Sequence, residues 1–318
     1  MVGIFSEVLP LFGVDPARDF MMVPVGGFNL IYHSLGKGAS FNVSPGPLSI
    51  RDVTDELRKA PDVSTISKSP KQPLFVDKDD MTAFLHAASQ RLSTDPSQRL
   101  LAVTASTRGV HTVTVTGSRH SGSRTVWALN ERPTTISFRY VKYTGQWPPP
   151  GATDRDVGRY SRGVARTKDE GEKYAKLVSQ LLRHQANISV ELKSSDDLGL
   201  ETAFGKTASN VWFKERLLPN RDMGADTTIF VVPAIDGAEG RSMIDNDRTA
   251  LMVAEKPIVV WAGTAGDPFQ LVTAHELAHT LGGNHRKDEG LLMSNYNHKQ
   301  GLLIDKDTLS EINSALKH

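Results

Sequence analysis

The sequence predicts an α+β protein built in two parts, a β-sandwich followed by an α/β domain with a mixed twisted sheet and a helix that carries the candidate site. Three observations predict it. Residues from about 20 to 140 are short β-type runs broken by turn residues. Beyond Thr134, helix-spaced and strand-type apolar runs alternate, the order of an α/β domain. The run Trp147-Pro148-Pro149-Pro150-Gly151 admits neither helix nor central strand, so it reads as a loop inside the second part. The change of domain is placed before it, near residue 132. That gives an N-terminal segment 1–19, a β-rich module 20–131 and a second domain 132–318.

In the first part, Met21-Met22-Val23-Pro24-Val25 leads into Phe28-Asn29-Leu30-Ile31-Tyr32. Leu100-Leu101-Ala102-Val103-Thr104-Ala105 is followed by a Gly109 turn and by Val110-His111-Thr112-Val113-Thr114-Val115-Thr116. The valine–threonine alternation of that last run has the period of a half-buried strand. A helix over 81–93 interrupts the strands. His111 and His120 read as strand and loop residues rather than ligands.

In the second part, residues 134–141 read as the opening strand. Tyr174, Leu177, Val178, Leu181 and Leu182 place a helix over 167–184. Strands follow at 187–192, 227–232, 249–254 and 258–262. Asp267-Pro268 supplies an N-cap and a first-turn proline for the next helix, whose apolar stripe is Leu271, Ala274, Ala278 and Leu281. Leu309, Ile312 and Leu316 mark a closing helix over 305–316.

Composition narrows the function. The 318 residues are 39% hydrophobic and 23% charged, with net charge +1, which gives no case for nucleic acid or an anionic membrane surface. The absence of cysteine excludes disulfides and thiolate metal sites. No run approaches the roughly 20 apolar residues of a membrane span. The N-terminus lacks a basic leader region and carries Glu7, so it is not read as a signal peptide. Secretion, or delivery by another route, is favoured over a cytoplasmic location.

The chemistry is concentrated in His275-Glu276-Leu277-Ala278-His279-Thr280-Leu281-Gly282-Gly283-Asn284-His285, which reads H-E-x-x-H-x-x-G-x-x-H. Residues four apart on a helix differ by about 40° around its axis, so His275 and His279 can grip one ion. Glu276 lies about 100° round from His275 and borders the ion without ligating it, where it can take a proton from water. Gly282 permits the left-handed turn that ends the helix, so that His285 can return as a third ligand from a loop. Three histidines with one open position describe a catalytic Zn2+ site rather than a closed structural one. Asp288 could compete as an oxygen ligand, but imidazole suits zinc better.

At these residues the chain resembles the metzincin clan of zinc metallopeptidases, whose motif is followed by a tight turn with methionine beneath the metal. Met293, in Gly290-Leu291-Leu292-Met293-Ser294, resembles that Met-turn. The resemblance implies His275, His279 and His285 as zinc ligands, Glu276 as general base and Met293 as support. It covers roughly 185 residues. Some metzincins carry a tyrosine two residues after the methionine; here Tyr296 is three residues after it, which leaves it as a transition-state donor or a pocket wall. His298 either lines the pocket or lies on the surface. The family's substrate pairs with an edge strand, for which the candidate is Ala250, Leu251, Met252 and Val253, with an internal strand as the alternative. The first part weakly resembles a bacterial immunoglobulin-like module, with cell-surface or carbohydrate contact or a plain spacer as its roles. Asp236, Glu239, Asp245 and Asp247 could hold structural Ca2+, but no EF-hand spacing supports it.

The function expected is a zinc metalloendopeptidase acting on a protein or peptide. A zinc amide hydrolase of cell-wall peptides and a non-catalytic surface-binding protein with a vestigial zinc site are the alternatives.

Overall fold

The computed structural model describes residues 5–7, 20–44, 46–66, 72–245, 248–257, 268–288, 290–294 and 302–313. The first part holds β1 (Phe5–Glu7), β2 (Phe20–Pro24), β3 (Phe28–His33), β4 (Ser40–Ser44), β5 (Leu48–Asp52), α1 (Thr54–Lys59), α2 (Lys78–Thr94), β6 (Arg99–Ala105), β7 (Gly109–Thr116) and β8 (Ser121–Leu129). Two four-stranded sheets form, in the orders β1-β3-β6-β5 and β2-β8-β7-β4. Ile31, Leu101 and Val103 of one sheet meet Val113, Val115 and Val126 of the other in a shared core. The strand β7 alternates as its valine–threonine spacing predicts, with His111, Val113 and Val115 buried.

The strand β3 is buried on both faces, which explains why its sequence does not alternate. Its second face, Leu30 and Tyr32, packs in a core with Leu57 of α1 and Phe84, Leu85 and Ala88 of α2. The two helices therefore form a third layer over the strands rather than interrupting a two-layer sandwich. The N-cap of α2 is Asp77, which accepts from Asp80 N–H at 2.9 Å.

The second part holds β9 (Arg132–Tyr143), β10 (Tyr160–Ser161), α3 (Gly171–Ala186), β11 (Ile188–Leu200), β12 (Phe204–Gly205), α4 (Asn210–Trp212), β13 (Thr227–Val232), β14 (Gly240–Asp245), β15 (Arg248–Ala254), α5 (Pro268–Thr280) and α6 (Lys306–Ile312). Its main sheet runs β11-β9-β13-β15-β14, parallel throughout except for β14. The helices α3 and α5 pack on one face of the sheet, through Tyr174, Val178, Phe269 and Leu277. Phe213 and Leu217, just after α4, cover the other face through Phe230 and Met252. A sheet covered on both sides needs apolar strands, and β13 is buried at every position. The chain is thus α+β with several mixed sheets.

Two sequence expectations change here. The polar stretch after residue 192 continues β11 to Leu200, with a bulge between Leu192 and Ser194. The candidate substrate edge at Ala250, Leu251, Met252 and Val253 is not an edge. These residues lie on β15, which pairs with β13 on one side and with β14 on the other, and they are buried. Residues 240–245 form the edge strand instead. The strand expected at 258–262 lies outside the described residues.

The two parts touch along α2 and α3. His184 Nε2 and Asp80 Oδ2 are 3.0 Å apart and buried, and Gln180 Nε2–H donates to Asp80 Oδ1 at 3.2 Å. Arg183 reaches the carbonyls of Pro73 and Phe75, each at 3.1 Å. No helix among the described residues is long and apolar enough to cross a membrane.

Candidate metal centre

The helix α5 has no solvent-facing polar stripe: Phe269 and Leu271 through Ala278 are buried. A helix of that kind belongs at the centre of a fold, so the polar groups it carries must be answered locally. His275 is 3% exposed and Glu276 is 6% exposed. The helix stops where the sequence predicts. Gly282 adopts φ +105°, in the left-handed region, and Gly283 N–H reaches back to the Ala278 carbonyl at 2.9 Å. The chain then turns so that His285 faces the helix.

His275, His279 and His285 come together, with one ligand atom from each lying within 4.8 Å of the others. His275 Nδ1–H donates to the Leu292 carbonyl at 2.6 Å, and His279 Nδ1–H donates to the Gly283 carbonyl at 2.8 Å. A carbonyl can only accept, so each of these rings carries its proton on Nδ1. The Nε2 lone pairs then point inward. Nε2 of His285 lies 3.3 Å from that of His275 and 3.1 Å from that of His279.

Burial pushes the His275 imidazole down to about 3, the Leu292 carbonyl opposes it, and the two neighbouring rings add to it. Burial also lowers His279 and His285. Three neutral imidazoles with converging lone pairs repel one another unless they share a cation. The donor set therefore fits a borderline-soft divalent metal such as Zn2+. Among the described residues this is the only cluster of three or more His, Cys, Asp or Glu that could hold a metal. Asp236 and Glu239 join no such cluster, and Asp247 lies outside the described residues.

The turn at residues 291–294 contacts the triad at His275. Leu292 supplies the carbonyl that holds His275, Ser294 N–H closes the turn on the Leu291 carbonyl at 3.2 Å, and Met293 is fully buried. Tyr296 and His298 lie outside the described residues.

The triad and Glu276 open onto a cleft of about 540 Å³ whose opposite wall is residues 237–243, including β14. Burial drives the Glu276 carboxyl up to about 8, against a hydrogen bond from Ser242 and the Arg241 charge. A Cβ added to Gly240 would sit 2.5 Å from Glu276 Cγ, 2.6 Å from its Oε1 and 2.8 Å from Val272 Cγ1. Only glycine lets the strand lie this close to the glutamate. Gly240, Arg241 and Ser242 are site residues that sequence reasoning missed. The one local signal was a glycine in an acid-rich stretch. Asn210 and Lys214 complete the wall and carried no signal.

No family model matches the chain. No curated protein matches it. Among solved structures it is similar to metalloproteinase-II from Bacteroides fragilis, at 13% identity and TM-score 0.35 over 58% of this chain and 54% of that one. It thus spans about half the length of that protein. A zinc-dependent peptidase from Methanocorpusculum labreanum (strain Z) matches at 11% identity and TM-score 0.32, over 56% of this chain and 100% of that one. Domains 4–9 of the surface layer protein SbsC match at 12% identity and TM-score 0.20, over 41% of this chain and 17% of that one. Likenesses this slight fix neither fold nor chemistry, and the chemical reading rests on the residues of the site.

Proposed function

We propose that the chain is a zinc-dependent metalloendopeptidase of metzincin type. The observation that carries the reading is the convergence of three neutral imidazoles beside a buried glutamate, on a cleft bordered by the edge of a sheet. His275, His279 and His285 would hold zinc through Nε2. When bound, zinc supplies Lewis acidity that polarises the scissile carbonyl and makes water acidic near neutral pH. The Glu276 carboxylate takes a proton from the attacking water and returns it to the departing amine nitrogen as the C–N bond breaks. Gly240 and Ser242 hold that carboxylate in the cleft. The backbone of β14 pairs with an extended peptide, as an open sheet edge does. Met293 acts as the floor of the site. Residues 132–318 are the peptidase domain, and residues 20–131 form an immunoglobulin-like module carried with it.

The test is metal analysis with cleavage-site profiling on a peptide library, for the wild type and Glu276→Ala. The variant is expected to keep its zinc and lose hydrolysis. Full peptidase activity in Glu276→Ala would refute the mechanism.

A further inference from the structure

We infer that Arg286, Glu311 and Asp305 form a clamp that positions the third ligand, His285, from the C-terminal helix α6. The inference rests on the triad being a metal site. It starts from an asymmetry within the triad. The rings of His275 and His279 are each fixed twice, by α5 and by a carbonyl on Nδ1. His285 lies past the helix end, and among the described residues no carbonyl or carboxylate holds its Nδ1. Its position must come from the backbone on either side.

Both of its neighbours are pinned. Asn284 N–H donates to Glu311 Oε2 at 2.9 Å, and Arg286 N–H donates to the Met293 carbonyl at 2.7 Å. The Arg286 guanidinium then reaches Glu311 Oε2 at 2.7 Å and Asp305 Oδ2 at 3.1 Å. One carboxylate oxygen of Glu311 thus holds the residues before and after the ligand. The three charged side chains are 15–23% exposed, so the pairs are largely screened from solvent and geometrically fixed.

The base of the clamp is rigid. Leu309 and Ile312 are buried in the main core, and Asp305 caps α6 by accepting from Thr308 N–H at 2.7 Å. The segment before α6 also holds the turn that contacts His275, since Leu292 N–H donates to the Leu303 carbonyl at 2.7 Å. The C-terminal stretch therefore sets that turn and the third ligand together. Groups that orient ligands from outside the coordination shell typically account for a 10–100-fold change in metal affinity.

The experiment measures zinc affinity of the full chain by competition with a chromophoric chelator, alongside melting of the metal-free protein. Glu311→Gln and Arg286→Gln are each expected to weaken zinc binding about tenfold or more. Arg286→Lys, which keeps the charge without the two-pronged geometry, falls between them and the wild type. Arg99→Gln breaks an ion pair with Asp52 and Asp55 in the first part, so it should lower the melting temperature and leave zinc affinity unchanged. If Arg286→Gln does not fold, Glu311→Gln decides, because it keeps an acceptor oxygen for Asn284. Folded variants that bind zinc within twofold of the wild type overturn the clamp alone. A wild type that binds no zinc overturns the metal reading, and the clamp with it.

Discussion

Two of the regions that bury histidine use it in opposite ways. At the junction of α2 and α3, His184 is 1% exposed and turns Nε2 toward Asp80, while the rings of Phe75 and Phe84 stand edge-on to it. Asp80 also accepts from Val76 N–H at 2.9 Å and from Gln180. Protein groups thus meet both Asp80 oxygens, while the lone His184 Nδ1 is buried without a hydrogen-bond partner among the described residues and no second imidazole faces it. Beside β14, the carbonyl partners sit on the outer nitrogens and the inner nitrogens face one another. The two regions show that burial does not by itself mark a site for a cation. What matters is whether several ring nitrogens converge on one point, as those of His275, His279 and His285 do and that of His184 does not.

The contrast can be broken most directly by removing the acid in each region. Glu276→Ala is expected to lower turnover about 10²–10⁴-fold at unchanged zinc content. Asp80→Ala strands Val76 N–H, Gln180 and His184, and should cost about 3–5 kcal/mol of stability in urea unfolding. Turnover per folded, zinc-loaded molecule should stay at the wild-type value. A loss of turnover in folded Asp80→Ala would show that the junction feeds the site and would end the distinction.

A smaller effect is expected at the seat of the glutamate. Gly240→Ala places a methyl 2.5 Å from Glu276 Cγ and 2.6 Å from its Oε1, so the carboxylate must move. Displacement of a catalytic group by about 1 Å can cost on the order of 10²-fold in rate. The loss should fall on kcat with zinc content intact. Gly240→Ala working at the wild-type rate would separate β14 from the positioning of Glu276.

The two walls of the cleft differed in how far the sequence revealed them. The triad was legible because the helix repeat alone brings His275 and His279 together and Gly282 alone turns His285 back. The wall at β14 was not, because whether a strand is an edge depends on a pairing elsewhere in the chain. The run Ala250-Leu251-Met252-Val253-Ala254 does not alternate, which is what burial on both faces produces, and it was the better clue to an internal strand. Gly240 fits only against Glu276, 36 positions away, and no local pattern records such a contact. The link from Arg286 to Glu311 has the same character. The three layers of the first part were half-legible, since the strands and α2 had their periodicities but the stacking of α2 on β3 did not.

The smallest and most diagnostic effect is a pH dependence of stability. The folded pKa of Glu276, about 8, lies above the ordinary value of 4.5, so burial favours its protonated form. The stability this group contributes is complete below about pH 4.5 and is lost as pH rises through 8. Glu276→Gln keeps the neutral shape and does not titrate. In the presence of a chelator, the variant should therefore gain on the wild type steadily between pH 4.5 and 8 and level off above, by a few kcal/mol at most. His275 is shifted the other way, down to about 3, so its contribution is present above pH 6.5 and lost on acidification. It does so in both proteins and cancels from the difference. With zinc added, a divalent charge beside Glu276 favours the carboxylate, so the gap should shrink at every pH above 4.5. A gap in chelator that ignores pH would mean that the carboxylate is solvated rather than buried against β14. The junction offers the matching control, because His184→Gln and the wild type should show a difference that is the same with chelator and with zinc.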